Sequence, residues 1–283
     1  MDWSRFWSAW KPELIYTSVL LAYAGVLDLW KPSIPRFFIQ QDPSISNPYQ
    51  SSTVNTPLLG LLACVLPVCV ASAMRMYGFF GSAPQEPILL ALGLVHVTQW
   101  AVTCTLKGLV GRLRPNFFAL CNYCGYREAL KSGDFTEYNT CAPAGVPGSY
   151  DKCLESLAAG RVSFPSGHSS TAFAGLGFVG LLMAAAARRA GSPPMVQVLA
   201  AAPAFCMAAW IATTRVQDSW HFESDILAGS IIGLCSLLFV FYHRVWPLVL
   251  SAREAQTEAQ QDSDSAVVGA QLSESSTLSA GDA

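Results

Sequence analysis

Three short polar stretches hold residue types able to grip an anion and move a proton. The first is Lys107-Gly108-Leu109-Val110-Gly111-Arg112-Leu113-Arg114-Pro115, three cations at the end of an apolar run whose exit is shaped by two glycines and a proline. Lys107 and Arg114 are seven apart, so any helical portion returns them to one face after two turns. The second is Phe164-Pro165-Ser166-Gly167-His168-Ser169-Ser170, which leads straight into another apolar run. Pro165 and Gly167 set a tight turn, and the Ser166 hydroxyl with the free amides of a starting helix suits an anion. His168 at that position can hydrogen-bond the anion or protonate a departing oxygen. The third runs from Thr214 to Asp225 between two apolar runs. Arg215 offers a cation, and His221 and Asp225, four apart, are neighbours on one helix face. A carboxylate holding one ring nitrogen leaves the other free to attack or to take a proton.

Each stretch alone has a plainer reading. Basic residues at a helix end can snorkel toward lipid phosphates, and a polar turn between membrane helices can serve solvation only. Together, cations and helix-start amides around two histidines suit phosphoryl transfer, in which positioning and electrostatic stabilisation carry the catalysis. A metal suits them less well. The stretches contain no carboxylate pair at ligand spacing, and Lys107, Arg114 and Arg215 would repel a divalent ion. The expectation is therefore no metal and no other cofactor.

The elements that must position these residues are membrane helices. Of 283 residues, 52% are hydrophobic and 13% charged, against about 25% charged in ordinary soluble domains. No basic stripe suggests nucleic acid as a partner. Apolar segments near residues 14–30, 57–74, 87–106, 169–187, 195–213 and 226–243 each approach the ~20 residues a spanning helix needs. The expected fold is all-α, an integral membrane protein of six spans. Residues 1–13 form an interfacial lead-in, 14–250 the six-span domain and 251–283 a disordered cytosolic tail. In that tail six carboxylates face one cation, Arg253. The first segment is the weakest, being closed by Asp28. The third contains His96 and Gln99, for which helix–helix hydrogen bonding and chemistry are both open.

Six spans put both termini on one side. If that side is cytosolic it holds Arg5, Lys11, Arg75, Arg188, Arg189 and Arg244, as the positive-inside rule favours. The other side then carries a Pro/Ser/Asn-rich connection over 31–56, which could still cover a site, the long loop 107–167 and the third stretch. Of nine cysteines, Cys64, Cys69, Cys104, Cys206 and Cys235 lie in apolar runs and read as small hydrophobes. Cys121, Cys124, Cys141 and Cys153 share the long loop, as disulfides in an oxidising compartment would; a zinc site at Cys121 and Cys124 is the competing reading.

The three stretches, in this order and spacing on a six-span plan, resemble the signatures of the type 2 phosphatidic acid phosphatase (PAP2) superfamily, the lipid phosphate phosphatases. The matching residues are Lys107 with Arg114-Pro115, Pro165-Ser166-Gly167-His168, and Arg215 with His221 and Asp225, and the likeness covers roughly 57–243. Gly111-Arg112-Leu113-Arg114-Pro115 resembles the lipid phosphatase and diacylglycerol pyrophosphate phosphatase branch, with Arg112 an extra cation inside the motif. Thr214 stands where the pattern usually has serine. The resemblance implies a PAP2-type helical core with its active site at the non-cytosolic helix ends. His221 would be the nucleophile that becomes phosphohistidine, Asp225 its orienting group and His168 the general acid. Lys107, Arg114, Arg215, Ser166 and Gly167 would bind the phosphate, with no magnesium required. The implied partner is a lipid phosphate in the bilayer: phosphatidate, diacylglycerol pyrophosphate, lysophosphatidate or a related lipid. Polyprenyl or sphingoid-base phosphates, and a catalytically inactive phospholipid-binding scaffold, are the alternatives. Plasma membrane or endomembrane, and a homo-oligomer, are left open.

Overall fold

The computed structural model describes residues 3–30, 38, 42–79, 86–140 and 159–251, with the single positions 257, 261 and 265. Six helices are long and apolar enough to cross a membrane. They are α1 (Trp3–Trp30), α2 (Thr56–Met76), α3 (Glu86–Val110), α7 (Gly167–Arg189), α8 (Pro194–Gln217) and α9 (Glu223–Ser251). Three short helices, α4 (Phe117–Cys121), α5 (Tyr126–Ser132) and α6 (Thr136–Thr140), lie between α3 and α7. The described protein is thus all-α and multi-spanning. The expected lead-in runs into the first span without a break, within α1. Apart from 251, 257, 261 and 265, the tail lies outside the described residues.

The bundle is organised around α7. Two thirds (67%) of its apolar window is buried, against 6% for α1. Its glycines explain how its neighbours come so close. A methyl group at Gly175 would stand 1.8 Å from the Ala63 carbonyl oxygen of α2, and one at Gly180 would meet the Phe205 ring of α8 at 2.9 Å. On α9, Gly229 and Gly233 face the Ser166 and Ser170 carbonyl oxygens at 2.3 and 2.4 Å by the same measure. Where lipid tails are as apolar as Leu, small residues allow backbones to approach and dispersion to hold them. Ala71, Ile88, Val95, Phe178, Leu182, Leu237 and Phe241 fill the space between α2, α3, α7 and α9.

His96 has a structural role. Residues Leu61–Val65 of α2 form a π turn, which loosens the normal ladder. The Ala63 carbonyl there accepts a hydrogen bond from His96 Nε2 at 2.9 Å. Gln99 likewise donates to Thr171 Oγ1 of α7 at 3.2 Å. Both are helix–helix ties.

The long loop builds its own apolar body. Phe117, Phe118, Tyr123, Tyr126, Tyr138 and Trp220 pack with Phe38 and Ile45, through edge-on and stacked ring contacts 5.0–6.2 Å apart. Cys121 and Cys124 each take part in a disulfide; Cys141 and Cys153 lie outside the described residues. The five cysteines read as small hydrophobes are free thiols.

Candidate active site

Helix direction alternates along the chain, so the ends of α3 and α8 and the starts of α7 and α9 lie together. Backbone hydrogen bonds then lock the three polar stretches to one another. Arg114 N donates to Gly160 O (2.9 Å) and Ser163 N to Arg112 O (3.0 Å), fastening the exit of α3 to the approach to α7. Ser166 N donates to Asp225 O (2.9 Å), fastening that approach to α9. Trp220 N and His221 N both reach the Arg215 carbonyl, at 3.0 and 3.2 Å, which folds the third stretch back on the end of α8.

These ends enclose a cavity of about 470 Å³. Lys107, Arg114, Arg215, Gly167, His168 and His221 line its polar side, and Leu27, Leu59, Trp100 and Cys104 its apolar side. Asp28 is also on its wall. The Lys107 ammonium stands beside Gly167, 3.6 Å from where a methyl there would sit. Among the described residues no group of three or more His, Cys, Asp or Glu could hold a metal ion.

Each guanidinium is held by protein oxygens and an aromatic face. Arg114 donates from Nε to Ala159 O (2.6 Å) and from Nη1 to Trp220 O (3.0 Å), and lies 4.9 Å over the Trp220 ring. Arg215 is 1% exposed. It donates to Val54 O (3.1 Å) and Ser52 Oγ (3.2 Å), with Asp218 Oδ2 at 3.6 Å. Asp218 in turn accepts from Thr53 N and Thr53 Oγ1, both at 2.7 Å. The connection before α2 therefore covers the cations, as its composition left open. Trp220 Nε1 donates to Gln50 O at 3.0 Å and closes the same flap. A planar, fixed fork loses little freedom when an anion arrives, which favours affinity.

The two histidines face the cavity differently. His168 is tied to the Val54 backbone, and its buried Nε2 has no hydrogen-bond partner among the described residues. His221 Nδ1 is 2.6 Å from the Ser163 carbonyl oxygen. A carbonyl only accepts, so Nδ1 carries the proton and Nε2 keeps the lone pair. That Nε2 points to Arg114 Nη1, 3.5 Å away. Burial lowers the His221 pKa to about 3; Asp225 opposes the shift, and Arg114, Lys107 and Arg215 reinforce it. The ring is thus held neutral, with its Nε2 lone pair turned to the cavity and accepting from Arg114 Nη1.

Ser166, expected at the anion, and Asp225, expected to orient His221, both stand elsewhere. Ser166 is fully buried and caps α7, its Oγ accepting from Ser169 N (3.3 Å) and Ser169 Oγ (3.0 Å); it does not line the cavity. Asp225 Oδ2 is 3.8 Å from His221 Nδ1, too far for a hydrogen bond. Its own oxygens accept from Ser163 Oγ (2.6 Å), Phe222 N (3.0 Å) and Arg112 Nη1 (2.7 Å). The histidine's partner is a backbone carbonyl, to which sequence is blind. Ser163 and the covering residues Ser52 and Val54 carry no spacing signal either. Trp220 and Asp218 lay in view within the third stretch, two polarisable or charged groups beside its arginine.

Residues 88–247 match the PAP2 superfamily. The chain is 31% identical to a Schizosaccharomyces pombe protein named probable diacylglycerol pyrophosphate phosphatase 1, over 86% of this chain and 83% of that one. It is 28% identical to diacylglycerol pyrophosphate phosphatase 1 of Saccharomyces cerevisiae, over 84% and 80% of the two chains. Lipid phosphate phosphatase 2 of Arabidopsis thaliana is 31% identical over 69% of this chain and 63% of its own length. No solved structure matches. The family match covers the helices that carry all three polar stretches, and with it the chain belongs to the PAP2 superfamily.

Proposed function

We propose that the chain is a lipid phosphate phosphatase that hydrolyses phosphatidate and close relatives through a phosphohistidine, without magnesium. The observation that carries this reading is the cavity itself. Three cations and two histidines share it with an apolar wall of Leu27, Leu59, Trp100 and Cys104. A phosphomonoester can sit among the cations while its acyl tails follow the wall into the bilayer. Three positive charges neutralise the phosphate oxygens, the part a metal plays in many phosphoryl transfers.

In this reaction His221 Nε2 attacks phosphorus and the bond from phosphorus to the glycerol oxygen breaks. His168 gives that oxygen its proton, so diacylglycerol leaves and the phosphoryl group stays on His221. Water then attacks the phosphohistidine, His168 takes the water proton, and inorganic phosphate departs. Relatives named for a diacylglycerol pyrophosphate phosphatase activity support including that lipid in the substrate class. Arg75, Arg188, Arg189 and Arg244, remote from the cavity in the helical plan, support placing the cavity on the non-cytosolic side.

Phosphate release in detergent micelles tests the proposal. Phosphatidate, diacylglycerol pyrophosphate, lysophosphatidate, sphingosine phosphate and glucose 6-phosphate form the panel. The expected result is release from the lipid phosphates at rates unchanged by EDTA and little release from the sugar phosphate. Folded protein that releases nothing from any lipid, or that EDTA silences, would remove the reading.

A further inference from the structure

The connection before α2 does more than cover the cations. Asn47 N donates to Pro115 O (3.0 Å), Trp220 Nε1 to Gln50 O (3.0 Å), and Thr53 N and Oγ1 to Asp218 (both 2.7 Å). Among these ties lie Ser52 and Val54. Arg215 Nη1 donates to Val54 O (3.1 Å), and the Val54 backbone also holds His168. Ser52 Oγ accepts from Arg215 Nη2 (3.2 Å) and Ser52 lines the cavity, as does Thr56 at the start of α2. A hydroxyl that accepts from a guanidinium keeps its own proton to give. Thr103, on the same wall, instead donates its proton to Ser170 Oγ at 3.1 Å.

We propose that Ser52, with Thr56 beside it, forms a leaving-group subsite whose ligand is the inner phosphate of a lipid pyrophosphate. In an in-line displacement the leaving oxygen stands opposite His221 and beside the acid, His168. The tie from His168 to Val54 puts Ser52 on that side. With diacylglycerol pyrophosphate, His221 Nε2 attacks the outer phosphorus and the bond from that phosphorus to the bridging oxygen breaks. The electron pair goes to the bridging oxygen, His168 protonates it, and phosphatidate leaves with its phosphate still negatively charged. Water then attacks the phosphohistidine, His168 takes its proton, and inorganic phosphate departs. Lys107, Arg114 and Arg215 are taken up by the outer phosphoryl group, and among the described residues the wall has no fourth cation. Its carboxylate, Asp28, is exposed at the end of α1. The inner phosphate therefore meets neutral donors. Hydrogen bonds to a charged oxygen are about twice as strong as those between neutral groups. The subsite thus favours a leaving phosphate over a leaving glycerol oxygen, which is neutral once protonated.

The subsite rests on the phosphatase reading for its catalytic meaning, and its test separates the two. Ser52→Ala is expected to lower kcat/KM for diacylglycerol pyrophosphate about 10-fold more than for phosphatidate, and Thr56→Val to move that ratio the same way. Ser52→Thr keeps the hydroxyl and should keep the wild-type ratio. A serine that only held Arg215 would lower both rates alike, because both substrates place the transferred phosphoryl group on that cation. Full-length protein in detergent micelles is also titrated calorimetrically with methylenediphosphonate, which has no bridging oxygen to cleave, and with inorganic phosphate. Wild type is expected to bind the diphosphonate more tightly than phosphate, and Ser52→Ala to weaken the diphosphonate about 10-fold and phosphate much less. Both rates, or both affinities, falling alike in Ser52→Ala would overturn the proposal. Should that variant fail to fold, the same outcome in Thr56→Val overturns it, as does wild type that binds the diphosphonate no better than phosphate. Diphosphonate binding that depends on Ser52, in protein that hydrolyses no lipid, would sink the phosphatase reading and leave the subsite intact.

Discussion

Replacing His221 with alanine is expected to lower phosphate release from phosphatidate by at least ~10³-fold, with detergent-micelle size and thermal midpoint reporting retained fold. Loss of a nucleophile costs far more than loss of a contact, because no covalent intermediate forms and only the clamp's electrostatic help remains. The geometry makes His221 the group to remove. It is 4% exposed, its Nδ1 is committed to Ser163 O, and its Nε2, which accepts from Arg114 Nη1, faces the cavity cations. Truncation strands the Ser163 carbonyl, a cost of about 1–3 kcal/mol that lowers stability without touching the cations. A variant that kept a tenth of wild-type activity would show that another group attacks phosphorus.

Gly229→Ala is expected to lower activity about 10²-fold although residue 229 touches no substrate. The added methyl would stand 2.3 Å from the Ser166 carbonyl oxygen and 3.1 Å from Ser169 Cβ. Backbone is on the other side of that contact, so α9 must move from the start of α7. The movement separates Gly167 and His168 from His221 and strains the tie from Ser166 N to Asp225 O. Displacements near 1 Å at reacting groups cost on the order of 10²-fold. Gly93→Ala is the comparison: nothing lies within 4 Å of its added methyl, and it should leave activity unchanged. Equal rates for the two variants would mean that close approach of α7 and α9 does not set the site.

The parts of this architecture that sequence reveals are those written in side-chain type and period. Six apolar runs of about twenty residues give the spans, because a bilayer core demands that length. The three polar stretches stand out because charge at the edge of such runs is costly and so tends to have a use. What sequence hides is written in backbone. The π turn at Leu61–Val65 leaves no mark on composition, so the partner of His96 was open to two readings. The Ser163 carbonyl that orients His221 would be there with almost any residue at 163. Ser166 looked like a phosphate ligand because a helix-start serine can serve either an anion or its own helix; here its hydroxyl serves Ser169. Asp225 lies in the first turn of α9 while His221 precedes that helix in a bend, so the expected shared helix face does not form, and the carboxylate lies turned toward Arg112 and Ser163. Spacing brings the two residues near each other, and only the neighbours decide which oxygen meets which hydrogen.

Trapping the intermediate tests the central claim most directly. Protein is mixed with phosphatidate labelled with ³²P in its phosphate, quenched in alkaline detergent, and digested to locate the label. The account predicts alkali-stable, acid-labile label on His221, absent from His221→Ala, and chased to inorganic phosphate by time in water. Label on any other residue would contradict it, as would steady phosphate release by His221→Ala with no phosphoenzyme at all.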